Sequence, residues 1–385
     1  MSRLPPWIGE TGRELWLRLA DTGLLGYRHR LRPLGFGPSP HASAEQTILD
    51  LDHLPLPAPG PVRLVSHLYR SSPLPSYPSI ESWAVRAGAS SGQAAAYRRI
   101  QFHTIRRRLR GPERELDGPY AVFPHLTSHF GHWVGDQLGA ILWFAAEPRV
   151  TAGGRRLLVM APSPAWAELL LQLCPAGSLE LLRPEQWLEA NLRLPDALLL
   201  PRLSSWQNLA LARDRLGAAL AAEPLAAAAA ALQPEKLWLT SLRPERIANL
   251  EPVCALFRRH GYTVLDPTGV PIPELLLRLR RASALWCEHG SMLLNVLLCR
   301  TRPYRLLELD PGSASRYPPE RAFLGGGLYN AFQRGLMQPF FCAPAPAPAP
   351  ASARLDHRLH PYQRQLRVDL EALEAALSLE RPAEG

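Results

Sequence analysis

At 385 residues, with 46% apolar and 20% charged side chains, the chain has the makeup of a globular protein long enough for two domains, not that of a disordered polymer. Its five cysteines, Cys174, Cys254, Cys287, Cys299 and Cys342, are odd in number and form no CxxC pair, which argues against a disulfide scaffold or structural zinc site and for a reducing compartment. The net charge of +9 is almost all arginine, Lys236 being the only lysine, and no aromatic residues interleave the arginine clusters as a base-stacking platform requires, so nucleic acid is not an expected partner.

From the N-terminus, Arg13 to Leu25 places Leu15, Trp16, Leu19 and Leu24 at helical spacing. Packing against its own domain is the commoner fate of such a helix, and a membrane surface the alternative. Glu10, Arg13, Glu14 and Arg18 interrupt any signal-peptide core, and no run of about 20 apolar residues follows, so the expected location is cytoplasmic, with peripheral contact at the inner membrane face left open. Residues 26 to 62 are rich in Pro and Gly and read as irregular lead-in. The cluster Arg98, Arg99, Arg106, Arg107, Arg108 and Arg110 reads as a solvated helix face, or as a contact for an anionic acceptor or membrane. Residues 63 to 216 fit an α/β domain, with strands at Arg156–Met160 and Ala197–Pro201 and a helix over Pro164–Leu173.

Within that domain a helix is predicted from a Thr127-Ser128 cap to Ala145. His125, His129, His132 and Asp136 recur at steps of four, three and four, which a continuous helix would align on one side. Three readings stand: general-base catalysis, for which an imidazole with a pKa of about 6.5 is suited; a divalent metal site; or hydrogen bonding within a half-buried surface and no chemistry.

The second domain is placed at 217 to 342, opening with a helix-favouring stretch, Gly217 to Gln233, that contains Ala226 to Ala231 unbroken. Strands at Lys236–Ser241, Tyr262–Leu265, Ala282–Cys287 and Tyr304–Leu309 alternate with helices over Ile247–His260, Ile272–Arg281 and Met292–Leu298. Gly261 stops the first of these helices. The pattern implies a parallel, doubly wound sheet with its ligand at the carboxyl ends of the strands. The polar turn Leu242 to Arg246 and the joint Glu288 to Asn295 both fall at that edge. Gly290 and Ser291 at a strand-to-helix joint suit a diphosphate, which amides and the helix dipole attract, although many such turns carry Gly and Ser for geometry alone. Ala343 to Ala351 alternates Pro and Ala and reads as an extended linker (343–353), followed by a tail, 354–385, with a helical pattern in its later part.

Taken together, Leu239-Thr240-Ser241, Arg246-Ile247-Ala248-Asn249, His260 to Pro267, Glu288-His289-Gly290-Ser291 with Asn295, and Leu307 to Pro311 resemble glycosyltransferase family 61, which includes bacterial capsular-polysaccharide enzymes. His132-Trp133 with Asp136 resembles the family's His-Trp and Asp pattern. Met292 and Leu294 stand where the family usually has Gly and Thr, and Thr240-Ser241 where it often has Ser-Arg. The resemblance implies a GT-B-like α/β fold of two facing Rossmann-like domains with parallel sheets. It implies an inverting, metal-independent transfer from a nucleotide-sugar donor, expected to be a UDP-sugar, to a hydroxyl of a glycan or lipid-linked glycan, with no cofactor. On it His132 and Asp136 are the catalytic candidates. Arg243, Arg246, Gly290 and Ser291 would hold the diphosphate, Thr240, Ser241 and His289 would contact the donor, Asn295 would hold the loop, and Glu308 would meet the ribose. For Asn295 and Glu308, capping and surface charge are rival readings. Two other functions stay open: a non-catalytic GT-B-like scaffold in a polysaccharide assembly, and a metal-dependent hydrolase using His129, His132 and Asp136.

Overall fold

Within the unit Leu51–Gly385, the computed structural model describes residues 54–69, 79–86, 112–201, 203, 205–222, 232–288, 290–299, 303–309, 337–345 and 365–379. The expected N-terminal helix, the arginine cluster at 98–110, the run Ala226–Ala231, most of the Pro/Ala tract and His289 lie outside the described residues. Among the described residues no helix is long and apolar enough to cross a membrane.

The chain is α/β and builds two mixed, mostly parallel sheets. The first takes β1 (Gly60–Tyr69), β2 (Ser79–Arg86), β3 (Glu113–Glu115), β4 (Pro119–Val122) and β5 (His125–Thr127). A long helix, α1, follows. It joins Phe130–Trp133, a π-helical turn Val134–Leu138 and Gly139–Phe144 without leaving helical dihedrals. Then come α2 (Pro148–Thr151), β6 (Arg156–Val159), α3 (Pro164–Leu173), β7 (Leu179–Leu181), α4 (Pro184–Glu189) and β8 (Asn191–Leu199). The order is β5-β2-β1-β8-β4-β6-β7, with β3 also on β8. β4, β6, β7 and β8 run parallel, as expected, but β1, β2 and β5 join antiparallel. The sheet is therefore mixed and not parallel throughout.

Helix α5 (Ser205–Ala221) begins earlier than the expected boundary at 216 and runs across it. It packs on α1 and, further along, on the helix Leu293–Cys299 beside the second sheet. The second sheet contains β9 (Lys236–Leu239), α6 (Leu250–Arg259), β10 (Tyr262–Leu265), α7 (Ile272–Arg281), β11 (Ala284–Glu288), α8 (Leu293–Cys299), β12 (Tyr304–Leu309), β13 (Met337–Pro344), β14 (Leu366–Arg367) and α9 (Leu370–Ser378). Its order is β10-β9-β11-β12-β13-β14, parallel except for the last strand. The strand pairing of β13 extends through Ala343 and Pro344, so the expected linker starts later than its composition suggests.

Period-two alternation splits the second sheet's core. Leu237, Leu239, Leu285 and Cys287 face α7 and α8 in one cluster that continues into the first sheet. Trp238 and Trp286 face the other way, in a second cluster with Phe257 of α6 and Leu373 and Leu377 of α9. The Trp238 and Phe257 rings stack 4.3 Å apart, and each large side chain so buried contributes roughly 1.5–3 kcal/mol. Gly261, at φ +78, closes α6 as predicted, its amide donating to the Arg258 carbonyl at 3.0 Å.

Candidate functional site

In the order β10-β9-β11, the chain passes from β9 to β10 on one side and returns to β11 on the other. A crevice opens outside the carboxyl ends of the strands at such a switch point. Thr240 and Ser241 follow β9 there, and Glu288 ends β11.

Glu288 is the hub. Only 1% exposed, its carboxylate accepts the Thr240 hydroxyl at 2.6 Å, the Ser241 amide at 3.1 Å and the Ser241 hydroxyl at 2.8 Å. The Arg246 guanidinium adds an ion pair through Nε at 3.4 Å. A buried carboxylate is tolerated only with such compensation. Thr240, Ser241 and Arg246, expected around the donor, thus first surround a side chain of the protein itself. Arg243 lies exposed in the turn, and its carbonyl accepts the Arg246 amide at 2.9 Å. Leu242 takes φ +52, a left-handed conformation that a leucine adopts only where its surroundings impose it.

Gly290 has φ +147, which also favours glycine, and a Cβ built there would lie 3.1 Å from Arg246 Nη2. The outer end of the guanidinium therefore lies over the joint while its inner nitrogen pairs with Glu288. Helix α8 starts one residue later than expected and is seven residues long. The amides of Leu293, Leu294 and Asn295 donate to the carbonyls of Gly290, Ser291 and Met292 at 3.0–3.1 Å. Three amides of the helix start are thus turned inward by tight i→i+3 bonding. Asn295 is buried within α8. Glu308, on β12, pairs opposite Phe341 of β13, and its side chain is outside the described residues.

The histidine stripe is shorter than its spacing implies. His125 lies on β5, where its carbonyl accepts Gln137 Nε2 at 3.1 Å, and His129 precedes α1 with extended dihedrals. Neither Thr127 nor Ser128 caps the helix, because pairing with β2 claims the segment: Thr127 sits opposite Glu81, and Ser128 Oγ accepts the Ile80 amide at 2.8 Å. Only His132 and Asp136 share the helix, with Nδ1 and Oδ2 at 3.7 Å. The His132 side chain is 49% exposed, so a substrate can reach it, and that of Asp136 is 13% exposed. The His129 and His132 rings lie 5.0 Å apart. Among the described residues no three His, Cys, Asp or Glu side chains group as a metal site.

These two regions, far apart in sequence, meet at Gly131 and Ser291. A Cβ built on Gly131 would lie 3.0 Å from Ser291 Cβ and 3.4 Å from His129 Cε1. The start of α1 therefore rests directly on the Gly290-Ser291 joint. Three residues hold this arrangement: Glu288, which sequence reasoning placed in the joint but gave no role, as the carboxylate hub, and Gly131 at the contact and Asn208 of α5, which it passed over. The Asn208 side chain accepts the Ala140 amide and donates to the Val134 carbonyl, both at 2.8 Å, bridging the backbone groups around the π-helical turn. Such a turn widens the helix and re-aims its side chains, here Asp136 relative to His132. No model of a known protein family matches this chain, and no characterised protein is significantly similar to it.

Proposed function

We propose that the chain is an inverting glycosyltransferase that moves a sugar from a nucleotide-diphosphate donor, a UDP-sugar in the first instance, to a hydroxyl of a glycan or lipid-linked glycan. One observation carries this reading: the start of α1, the helix that bears the His132–Asp136 pair, abuts the Arg246-covered joint at Gly290-Ser291 at the switch point of a parallel sheet. That is the pairing of parts a transfer needs, a base beside a place for a leaving diphosphate. On this reading the two sheets correspond to the two domains of a GT-B arrangement, with the donor on the second.

Asp136 stands on the Nδ1 side of His132, so Nε2 is the nitrogen that takes the acceptor proton. The acceptor oxygen then forms its bond to the anomeric carbon from the face opposite the diphosphate. The bond from that carbon to the diphosphate oxygen breaks, and the electron pair leaves with the diphosphate. Arg246, oriented by Glu288, stabilises the growing charge, with the Gly290–Met292 backbone beside it. The helix start adds less than its sequence suggests, since its next three amides are already used.

A thermal-shift screen of nucleotide-sugars is the direct test, because a ligand that binds only the folded state raises its melting temperature. A rise with UDP-sugars, together with transfer that falls in His132→Ala, is the expected outcome. No rise with any nucleotide or nucleotide-sugar would leave the scaffold reading in its place.

A further inference from the structure

The turn from Thr240 to Asn249 bears Arg246, and its middle is held from the far end of the chain. The Leu366 amide donates to the Arg246 carbonyl at 2.7 Å, and the Leu366 carbonyl accepts the Ala248 amide at 2.8 Å, so both bonds bracket Ile247. Asn249 Nδ2 donates to the Val368 carbonyl at 2.8 Å, and Asn249 Oδ1 accepts the Val368 amide at 3.0 Å. Gln365 Nε2 donates to the Pro244 carbonyl. Ile247, Leu366 and Val368 are buried together beside Trp238 and Phe257. The segment is itself anchored, since β14 pairs with the end of β13 and the Ala345 amide donates to the Gln365 carbonyl at 2.8 Å.

We propose that Gln365–Val368 is a positioning element of the switch-point site, fixing the backbone of Arg246 so that its guanidinium reaches Glu288 and the Gly290 joint. The turn needs an outside constraint. It contains the left-handed Leu242, and backbone strain of that kind persists only where the surroundings over-determine it. Glu288 holds the front of the turn and α6 begins at its back, while the C-terminal segment holds the carbonyl of Arg246 itself. Asn249 supports this assignment by what it omits: it precedes α6 but makes no side-chain capping bond to it, and both ends of its amide go to Val368. The consequence for ligand binding rests on the nucleotide reading above, whereas the mechanical coupling does not.

The test uses the full-length chain carrying Asn249→Ala and Gln365→Ala together, with amide hydrogen exchange measured at Ala248, bonded to the segment, and at Ser241, bonded to Glu288. Exchange at least tenfold faster at both sites is expected. No acceleration at Ser241 overturns the proposal, whether or not Ala248 changes. UDP titrations read the consequence separately. If the native chain binds UDP, the double variant binds at least tenfold more weakly, and adding the same two changes to Arg246→Ala weakens binding no further, because non-additivity marks residues acting through one another. Equal losses in both backgrounds, or no loss, overturn the positioning role. A native chain that does not bind UDP defeats the nucleotide reading alone, and the exchange at Ser241 still decides the coupling.

Discussion

At the scale of single residues, the site is organised by one buried charge. Removing the Glu288 carboxylate leaves the Thr240 and Ser241 hydroxyls, the Ser241 amide and the Arg246 guanidinium without their shared acceptor. Glu288→Ala is expected to destabilise the fold by about 3 kcal/mol, the range for breaking a buried charge network, measured as a shift in the urea midpoint at constant slope. Gly290→Ala acts differently: it forces a side chain into a φ that favours glycine and into the path of Arg246 Nη2. It is expected to weaken nucleotide binding more than it lowers stability. His132→Ala is expected to reduce transfer about 100-fold or more with donor affinity unchanged, since on the proposed function the ring takes the acceptor's proton. The residue types of the site were legible in the sequence, but their pairing was not. Glu288 was visible as part of a strand-to-helix motif, yet nothing in its neighbours says that β9 lies beside β11 and brings Thr240 and Ser241 to its carboxylate. That fact belongs to strand order.

At the scale of elements, the contact of α1 with the joint depends on two glycines. Gly131 admits Ser291, and Gly139 admits α5 so closely that an added Cβ would lie 1.9 Å from the Asn208 carbonyl oxygen. Since that oxygen is backbone, Gly139→Ala forces the helices apart and is expected to cost about 3 kcal/mol, the upper part of the range for overpacking. The comparison that isolates function is Gly131→Ala, where the neighbour is one surface side chain; transfer should drop while the urea midpoint moves little. The strands and helices from Lys236 to Leu309 were read within a few residues, because buried parallel strands and amphipathic helices carry strong patterns. The start of α1 was misread for a physical reason. Thr127 and Ser128 are good capping residues by type, but pairing with β2 supplies backbone bonds that a helix start would forfeit. The π-helical turn was invisible as well, since it depends on an amide from Asn208, 68 residues from the Ala140 it contacts.

At the scale of the whole molecule, α5 and the apolar cluster that runs from the first sheet into α7 and α8 join the sheets, and Arg213 of α5 donates twice to the Leu297 carbonyl, at 2.9 and 3.1 Å. From sequence, the domain boundary falls near the helix-favouring stretch from Gly217, which ends just before β9, and α5 runs through that point. Burial also gives the fold an alkaline limit. It pushes the Cys174 thiol up to about 11 and raises Cys287 as well. Unfolded thiols ionise near 8.5, so above that pH the unfolded chain gains charge first, and stability is expected to fall as pH rises from about 8.5 to 11. The fall should be shallower in Cys174→Ala, read from urea midpoints across that range. What binds at the switch point is the central question, and calorimetric titration of the native chain and of Arg246→Ala with UDP addresses it most directly. Saturable binding by the native chain, weakened at least tenfold in Arg246→Ala, is the expected result; no binding by the native chain, or equal binding by both, would contradict the assignment of a nucleotide diphosphate to this site.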